Sequence, residues 1–291
     1  MPADMRALLT DLRAETRAVR DLLAPLDDAG WETATPSAGW AIRDQVSHLA
    51  YFDEAAALAA TDPERFRAEA ADLMQAGPGF PDQIARRYRS LPPATLLAWF
   101  DGARERFLTM LAPIDPAARQ PWYGPDMSAA SAVTARLMET WAHGQDVADA
   151  LGVPREPTGR LRHVAYLGVR TFGFCFRLHG RPVPDAPVRV ELAAPDGTAW
   201  AWGPAGARDR VTGPALDFCL VVTQRRHVAD TALEVHGPVA AAWIAIAQAF
   251  AGAPGGGRAP GQFAAAPGPG GRPCPLPAAA PSPARSPAPG G

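Results

Sequence analysis

Two histidines and one glutamate have the residue types and spacing of a divalent-metal site. Glu139 and His143 are four residues apart in a segment with helical periodicity, and this spacing brings both side chains to one face of a helix. Zinc accepts carboxylate and imidazole ligands at about 2.0–2.2 Å. A third ligand must come from another segment, and His48 lies among apolar residues of a second predicted helix, where an ionisable side chain needs a partner. The pattern predicts one divalent metal, with zinc as the first candidate, bound by His48, Glu139 and His143.

Simpler interpretations apply to the same three residues. A Glu–His pair at this spacing is common by chance, and on a helix surface it contributes only about 0.2–0.5 kcal/mol. A histidine on a packed helix is more often a core residue with a satisfied hydrogen bond. The residues alone therefore leave a helical bundle without metal open. They also leave the metal open, because two imidazoles and a carboxylate suit zinc, nickel, cobalt and iron alike.

The elements that must position these residues are helices. Apolar periodicity and end signals predict helices over 3–24, about 41–60, 63–76, 82–90, 94–112 and about 129–151. Ser128 is the predicted N-cap of the last helix, and Gly152 with Pro154 ends it. Four main helices with a few long connections describe a four-helix bundle. We therefore predict a metal-binding helical bundle over residues 1–152.

The pattern changes after residue 154. A helix is predicted over 159–180, apolar residues alternate over 188–192, and an Asp196-Gly197 turn leads to a return strand with Trp200 and Trp202. Further helices are predicted over 214–223 and 238–250. This makes a small α+β domain over 155–250, and the whole chain an α+β protein of two domains. In the last segment, 251–291, 32 of 41 residues are Pro, Gly or Ala, so we predict a disordered tail.

Composition excludes several classes of function. The net charge is −2, which gives no global attraction to nucleic acid. No apolar run reaches the roughly 18 residues of a membrane span, and the acidic, amphipathic N-terminus is unlike a signal peptide. The three cysteines are widely spaced and form no CxxC pair. We expect a cytoplasmic protein that binds neither membrane nor nucleic acid; the oligomeric state stays open.

Two motifs carry a resemblance to a known family. GWAIRDQVSHLAYFD (39–53) and RLMETWAHGQDVADALG (136–152) resemble the DinB-like metal-binding bundle, specifically the N-terminal domain of mycothiol-dependent maleylpyruvate isomerases. In that family a His on the second helix and an ExxxH pair on the fourth bind the metal, which implies these roles for His48, Glu139 and His143. VTGPALDFCLVVTQRRH (211–227) is similar to the family's small C-terminal domain. The segment 121–146 is closer still to an uncharacterised actinobacterial branch described only as metal-binding.

The resemblance implies a chemistry. Three protein ligands leave a metal position open, and a thiol bound there is more easily ionised. In the isomerases the thiol is mycothiol, whose thiolate adds to a double bond, permits rotation and leaves. An arginine of the C-terminal domain contributes to activity there. Arg225 is the matching position here, although Gln224 precedes it where the family usually has Gly, and Arg226 is an alternative. An exposed structural arginine is the simpler interpretation of both.

Two functional hypotheses follow from these expectations. The first is a mycothiol-dependent metalloenzyme, an isomerase or a thiol S-transferase, that acts on an electrophilic or unsaturated-acid substrate. The alternative is a non-catalytic metal-binding or ligand-sensing protein. Some relatives of the branch carry a label for wyosine base formation, which implies tRNA modification; the acidic balance and the lack of an iron–sulfur cysteine set argue against that role.

Several neighbouring residues could support the site or simply stabilise the fold. Asp44 and Asp146 could each orient an imidazole, but helix capping or solvent exposure is the preferred interpretation. Most of the nearby aromatic residues are predicted to pack in the core or in loops, with one or two lining a pocket: Trp40, Tyr51, Trp122, Tyr123 and Trp141.

Overall fold

The computed structural model describes residues 4–263 of the chain. Its N-terminal part is helical, and most of the predicted helices are present within a few residues. The helices are α1 (Met5–Leu23), α2 (Asp28–Trp31), α3 (Ile42–Thr61), α4 (Pro63–Gln75), α5 (Phe80–Arg87), α6 (Pro93–Leu111) and α7 (Ala129–Leu151). Two short paired strands, β1 (Arg119–Gln120) and β2 (Met127–Ser128), lie in the connection between α6 and α7.

Local signals explain where these helices begin and end. The Asp62 side chain accepts a hydrogen bond from the amide of Arg65 and precedes the proline that opens α4. The Ser128 hydroxyl caps α7 through the amide of Ser131. Gly152 ends α7 with φ 64°, a left-handed conformation that glycine adopts without strain. The predicted cap and stop of α7 are therefore confirmed.

The helices that carry the candidate ligands lie against each other in the interior. Helix α3 packs on α6 and α7, and α7 also packs on α1. The contacts are made by fully buried apolar side chains, among them Val46, Leu49, Phe100, Phe107 and Leu137. Because α7 contacts both α1 and α3, most of its length is buried, and polar residues on it must find partners within the protein.

The C-terminal part is a small mixed sheet with helices. Its helices are α8 (Leu161–Arg170), α9 (Phe172–Leu178), α10 (Ala215–Val222) and α11 (Pro238–Ile244), and its strands are β3 (Val188–Ala193), β4 (Ala199–Trp202), β5 (Asp209–Pro214) and β6 (Glu234–His236). The strand order is β4-β3-β5-β6, in which only β3 and β5 are parallel. The predicted α+β class is confirmed.

Two expectations about this part were wrong in detail, and two strands were missed. The single helix predicted over 159–180 is two helices separated at Thr171, whose hydroxyl bonds the carbonyl of Gly168. The helix predicted over 238–250 ends at Ile244. Strands β5 and β6 were not predicted, because β5 contains Asp209 and Arg210 and therefore lacks the apolar alternation that marks β3.

The two parts share one hydrophobic core. Leu12, Leu137 and Met138 of the helical part belong to the same buried cluster as Val164 and Phe218 of the C-terminal part. Buried ion pairs cross the same boundary, such as those from Arg155 and Arg160 to Glu15. The relation between the parts is therefore fixed by packing as well as by charge.

The start of the predicted tail needs correction. Residues 251–263 are described and held against the rest of the protein: Arg258 bonds Asp146 at 2.8 Å, and the amide of Gly261 bonds Asp230 at 2.7 Å. The remainder of the predicted tail, 264–291, lies outside the described residues. Among the residues described, no helix has the length and apolar character needed to cross a membrane.

Candidate metal centre

The structure brings the three predicted donors together between α3 and α7. Nε2 of His143 lies 3.0 Å from Oε2 of Glu139, and Nε2 of His48 lies 3.6 Å from the same oxygen. One donor atom from each residue lies within 4.8 Å of those of the other two. The two imidazole rings are 4.3 Å apart between centroids. This convergence depends on the helix spacing on α7 and on the packing of α3 against it.

Gln45 fixes the orientation of one imidazole. Its side-chain oxygen lies 2.5 Å from Nδ1 of His143, and an amide oxygen can only accept, so Nδ1 carries the proton. The lone pair of His143 is then on Nε2, the nitrogen that faces Glu139. The amide nitrogen of Gln45 is itself held by the hydroxyl of Thr35 at 2.8 Å. Partners of this kind set the tautomer of metal-binding histidines.

Aromatic rings enclose the two imidazoles. Trp40 stacks on His143 at 6.0 Å with an interplanar angle of 16°, and its indole nitrogen bonds Asp82 at 2.7 Å. Phe52 packs against His48 with 4.5 Å between ring centroids. The cluster therefore has limited contact with water.

This enclosure sets the protonation states. Burial, followed by the proximity of His143, lowers the pKa of His48 to about 3. Burial acts to raise the pKa of Glu139, but its contacts with His143 and His48 outweigh this effect and hold that pKa well below its usual value. At neutral pH we therefore take His48 as neutral and Glu139 as ionised, which are the forms that bind metals.

The donor set fits a divalent cation on chemical grounds. Nδ1 of His48 is buried without a hydrogen-bond partner among the described residues. Nε2 of the same ring lies 3.6 Å from Glu139, beyond hydrogen-bond distance, so the described residues satisfy neither nitrogen. Two imidazole nitrogens and one carboxylate are a ligand set found in catalytic zinc sites, where a fourth position is open. His48, Glu139 and His143 are the residues that could hold the ion.

A large cavity opens next to this cluster. Its volume is about 650 Å³, and His48, Glu139 and Arg136 lie in its wall. The rest of the lining is mainly apolar. Its larger side chains from the helical part are Phe52, Met74, Phe80, Trp122, Tyr123, Met127 and Met138, and the C-terminal part contributes Leu167, Thr171, Phe174, Leu178 and 249–253. Volumes of about 300–1,000 Å³ with a few polar groups are typical of small-molecule sites.

Arg136 belongs to a buried charge network that was not predicted from the sequence. Asp53 is fully buried and accepts hydrogen bonds from Arg104 at 2.7 Å and from Arg136 at 2.8 Å. Arg104 also bonds the hydroxyls of Thr16 and Thr140. The available signal was the position of Arg136 three residues before Glu139, a spacing that puts the two side chains on one face of a helix.

The predicted catalytic arginine, Arg225, is bound to protein groups and does not line the cavity. All three nitrogens of Arg225 donate to protein groups: Nε to the carbonyl of Ala142, Nη1 to that of Thr223 and Nη2 to Asp146 at 2.8 Å. Arg225 is not among the described residues that line the cavity. The alternative, Arg226, is bound to Asp149 through two hydrogen bonds of 2.7 Å. The structure does not bring either side chain to the three donors.

The two candidate supporting carboxylates do not orient an imidazole. Asp44 bonds the amide of Ala41 at the start of α3 and pairs with Arg89 at 2.9 Å, which is the helix-capping interpretation. Asp146 binds Ser37, Arg225 and Arg258. Burial acts to raise the pKa of Asp146, but the charges of Arg225, His143 and Arg258 and a hydrogen bond outweigh it and lower the pKa. Gln45, and neither carboxylate, orients the imidazole of His143.

The named aromatic residues divide between the cavity and the core. Trp122 and Tyr123 line the cavity, as expected of one or two members of the set. Trp40 covers the imidazoles instead. Tyr51 packs beside Phe52, and Trp141 is a buried core residue.

Together, fold and site define a class: α+β proteins in which a helical N-terminal region carries a His–Glu–His cluster beside an apolar cavity. Comparisons with known proteins agree with the fold of this class. The sequence model of the family described as mycothiol maleylpyruvate isomerase N-terminal domain matches residues 12–148. A second model, described as wyosine base formation, matches residues 184–235, a segment that contains none of the three donors.

Similar whole chains were found in sequence and in structure. Two uncharacterized proteins of Mycobacterium tuberculosis, from strains CDC 1551 / Oshkosh and ATCC 25618 / H37Rv, are each 46% identical over 257 residues, which is 88% of this chain and 100% of theirs. Two crystal structures of the mycothiol-dependent maleylpyruvate isomerase are similar in fold. The His-to-Ala mutant has a TM-score of 0.56 at 17% identity, and the other structure has a TM-score of 0.53 at 16% identity. Each match covers 77% of this chain and 90% of the isomerase chain. The chain belongs to the mycothiol maleylpyruvate isomerase N-terminal domain family.

Proposed function

We propose that this protein is a metal-dependent enzyme of mycothiol chemistry, an isomerase or a thiol S-transferase. His48, Glu139 and His143 would hold one divalent ion, with zinc as the first candidate. The observation that carries the proposal is that these three donors converge, and that two of them, His48 and Glu139, lie in the wall of a cavity large enough for a substrate. A closed structural site would have four protein ligands and no adjacent space.

The roles of the protein's own residues follow from their contacts. Gln45 holds His143 in the tautomer whose Nε2 faces Glu139. The aromatic enclosure keeps His48 neutral and limits water around the cluster. A divalent ion bound there would lower the pKa of a thiol, so that mycothiol is available as a thiolate near neutral pH. The apolar cavity would bind an electrophilic or unsaturated-acid substrate beside it.

Arg225 would act by positioning rather than by touching the substrate. Its hydrogen bonds to Asp146 and to the carbonyl of Ala142 join the C-terminal part to the turn of α7 that carries His143. A role of this kind supports the site through the geometry of α7.

Metal analysis of protein purified without an affinity tag tests the first step. We expect about one divalent ion per chain in the wild type, loss of that ion in His143→Ala, and retention in His163→Ala. His163 is a matched control because it bonds Asp11, outside the cluster. Circular dichroism would verify that both variants fold. Absence of metal from the wild type, or full occupancy in His143→Ala, would refute the proposed site.

Thiol chemistry is tested next, on the metal-loaded protein. Mycothiol should bind to the loaded wild type and not to His48→Ala, and turnover of a thiol–electrophile pair or of a cis-unsaturated acid should require both metal and thiol. Stoichiometric metal and metal-dependent thermal stabilisation without any such turnover would favour the alternative, a non-catalytic metal-binding or ligand-sensing protein.

A further inference from the structure

The cavity beside the candidate metal centre has one cationic side chain among the described residues that line it, Arg136. Arg136 is only 2% exposed. Its Nε donates to Asp53 at 2.8 Å and its Nη2 to the carbonyl of Leu49 at 3.2 Å. Nη1 has no acceptor within the part of the chain that the structure describes. A buried guanidinium with an unused donor is costly unless a ligand or water accepts from it.

The charge around Arg136 is not balanced by its ion pair. Asp53 is shared between Arg136 and Arg104, and the other partners of Arg104 are the neutral hydroxyls of Thr16 and Thr140. Two buried cations therefore share one carboxylate. Glu139, the only acidic residue in the described lining, lies against His48 and His143. Nη1 of Arg136 is therefore left for an acceptor that a ligand brings into the cavity.

Another part of the cavity wall is aromatic and uncharged. Phe52 lies 5.5 Å from Tyr123 and 6.3 Å from Trp122, and Phe80 lies 5.3 Å from Tyr123. Burial and the neighbouring Tyr51 raise the pKa of Tyr123, so its phenol stays protonated and does not repel an anion. Rings in offset or edge contacts favour a flat apolar body.

From this arrangement we propose that the cavity takes an electrophilic or unsaturated acid that carries an aryl group, with the carboxylate on Arg136 and the ring among Phe52, Phe80, Trp122 and Tyr123. This inference deepens the proposed function by naming the substrate class. A small dicarboxylate would leave most of the 650 Å³ unfilled and the aromatic wall without a contact. A neutral apolar compound would leave Nη1 unpaired.

The test compares two probes of the same shape, 2-naphthoate and 2-naphthamide, by isothermal titration calorimetry. In the wild type we expect naphthoate to bind at least about tenfold more tightly than naphthamide, as one charge-assisted hydrogen bond allows. In Arg136→Gln the preference should disappear while the naphthamide affinity stays within about twofold. Equal affinity of both probes for the wild type would overturn the inference, with no variant needed.

The same variant distinguishes a carboxylate held by Arg136 from a carboxylate bound directly to the metal. If Arg136→Gln keeps both its metal and its preference for naphthoate, the role of Arg136 is contradicted. If Arg136→Gln does not fold, Ala135→Phe offers a second variant, because Ala135 lines the same cavity and makes no polar contact. It should weaken both probes at least about tenfold; unchanged binding would show that the probes bind elsewhere.

The proposed function and this inference can fail separately. If the wild type takes up no metal, the proposed function fails, and the naphthoate–naphthamide comparison on the metal-free protein still decides the inference. We expect the preference for naphthoate with metal bound and after treatment with a chelator. Its absence from both forms would overturn the inference while leaving metal binding untouched.

Discussion

The side-chain oxygen of Gln45 lies 2.5 Å from Nδ1 of His143, although the two residues are 98 positions apart in the chain. Gln45 is one turn before His48 on the same helix, so α3 supplies both a candidate ligand and the group that orients the ligand on α7. Metal affinity should therefore depend on Gln45 even though it cannot reach the ion itself.

Replacement of Gln45 by Ala should weaken zinc affinity about 10–100-fold, the range typical of a lost orienting partner. Without the acceptor at Nδ1, the His143 ring can adopt the other tautomer and turn. The affinity is measured by competition with a zinc chelator of known strength. Thr35→Val is the matched control, because it removes the other hydrogen bond of Gln45 and leaves the imidazole contact in place. An affinity of Gln45→Ala equal to the wild type would contradict the orienting role.

The stability of the metal-free protein should fall as the pH decreases below about 6.5. The pKa of His48 is about 3 in the folded protein and about 6.5 when unfolded. Between these values the unfolded state binds the extra proton, so the free energy of unfolding decreases with falling pH, by up to about 1.4 kcal/mol per pH unit. Glu139, whose lowered pKa acts in the same direction, adds to this only below about pH 4.5.

Urea unfolding at pH 7.0 and 5.5, with a chelator present, measures this dependence. His48→Gln should have a shallower decline than the wild type. His236→Gln is the control, because this histidine is on the surface with a side chain 61% exposed and should leave the decline unchanged. A wild-type decline no steeper than that of His48→Gln would show that the buried imidazole does not control it.

Asp53 should be among the residues whose loss most destabilises the protein. Asp53→Ala leaves Arg104 and Arg136 buried without their carboxylate, and removal of one partner from such a network costs about 3–5 kcal/mol. The exposed pair Arg65–Glu69 provides the comparison, since Glu69→Ala should cost at most about 0.5 kcal/mol. Chemical denaturation of both variants checks the difference, and similar small values for the two would contradict the assigned network.

Arg225→Ala should reduce stability by about 3 kcal/mol, because it removes a buried cation from Asp146 and two hydrogen bonds to backbone carbonyls. The metal content of the folded variant should stay near one ion per chain, since Arg225 touches none of the three donors. Arg13→Ala, at an exposed pair with Glu105, is the control for loss of an arginine. Loss of activity from Arg225→Ala without loss of stability would instead support the catalytic role that the resemblance implied.

Most helices and strand β3 were predictable because they depend on local sequence patterns. Helix periodicity, the Ser128 cap and the Gly152 stop determine α7, and alternating apolar residues determine β3. Strands β5 and β6 have no such pattern, because β5 begins with two charged residues, Asp209 and Arg210, and β6 is only three residues long. The break at Thr171 was equally hidden, since apolar residues continue through it.

The types and spacing of the candidate donors could be read from local patterns: Glu139 and His143 share a helix face at a spacing of four, and His48 lies within an apolar helix. The groups that surround these side chains could not be predicted in the same way. Gln45 at Nδ1 of His143, Arg136 at the cavity, and Arg225 bound to Asp146 all arise from contacts between segments far apart in the chain. Periodicity fixes which way a side chain faces on its own helix, but the partner it meets depends on how the helices pack, and no local pattern records that.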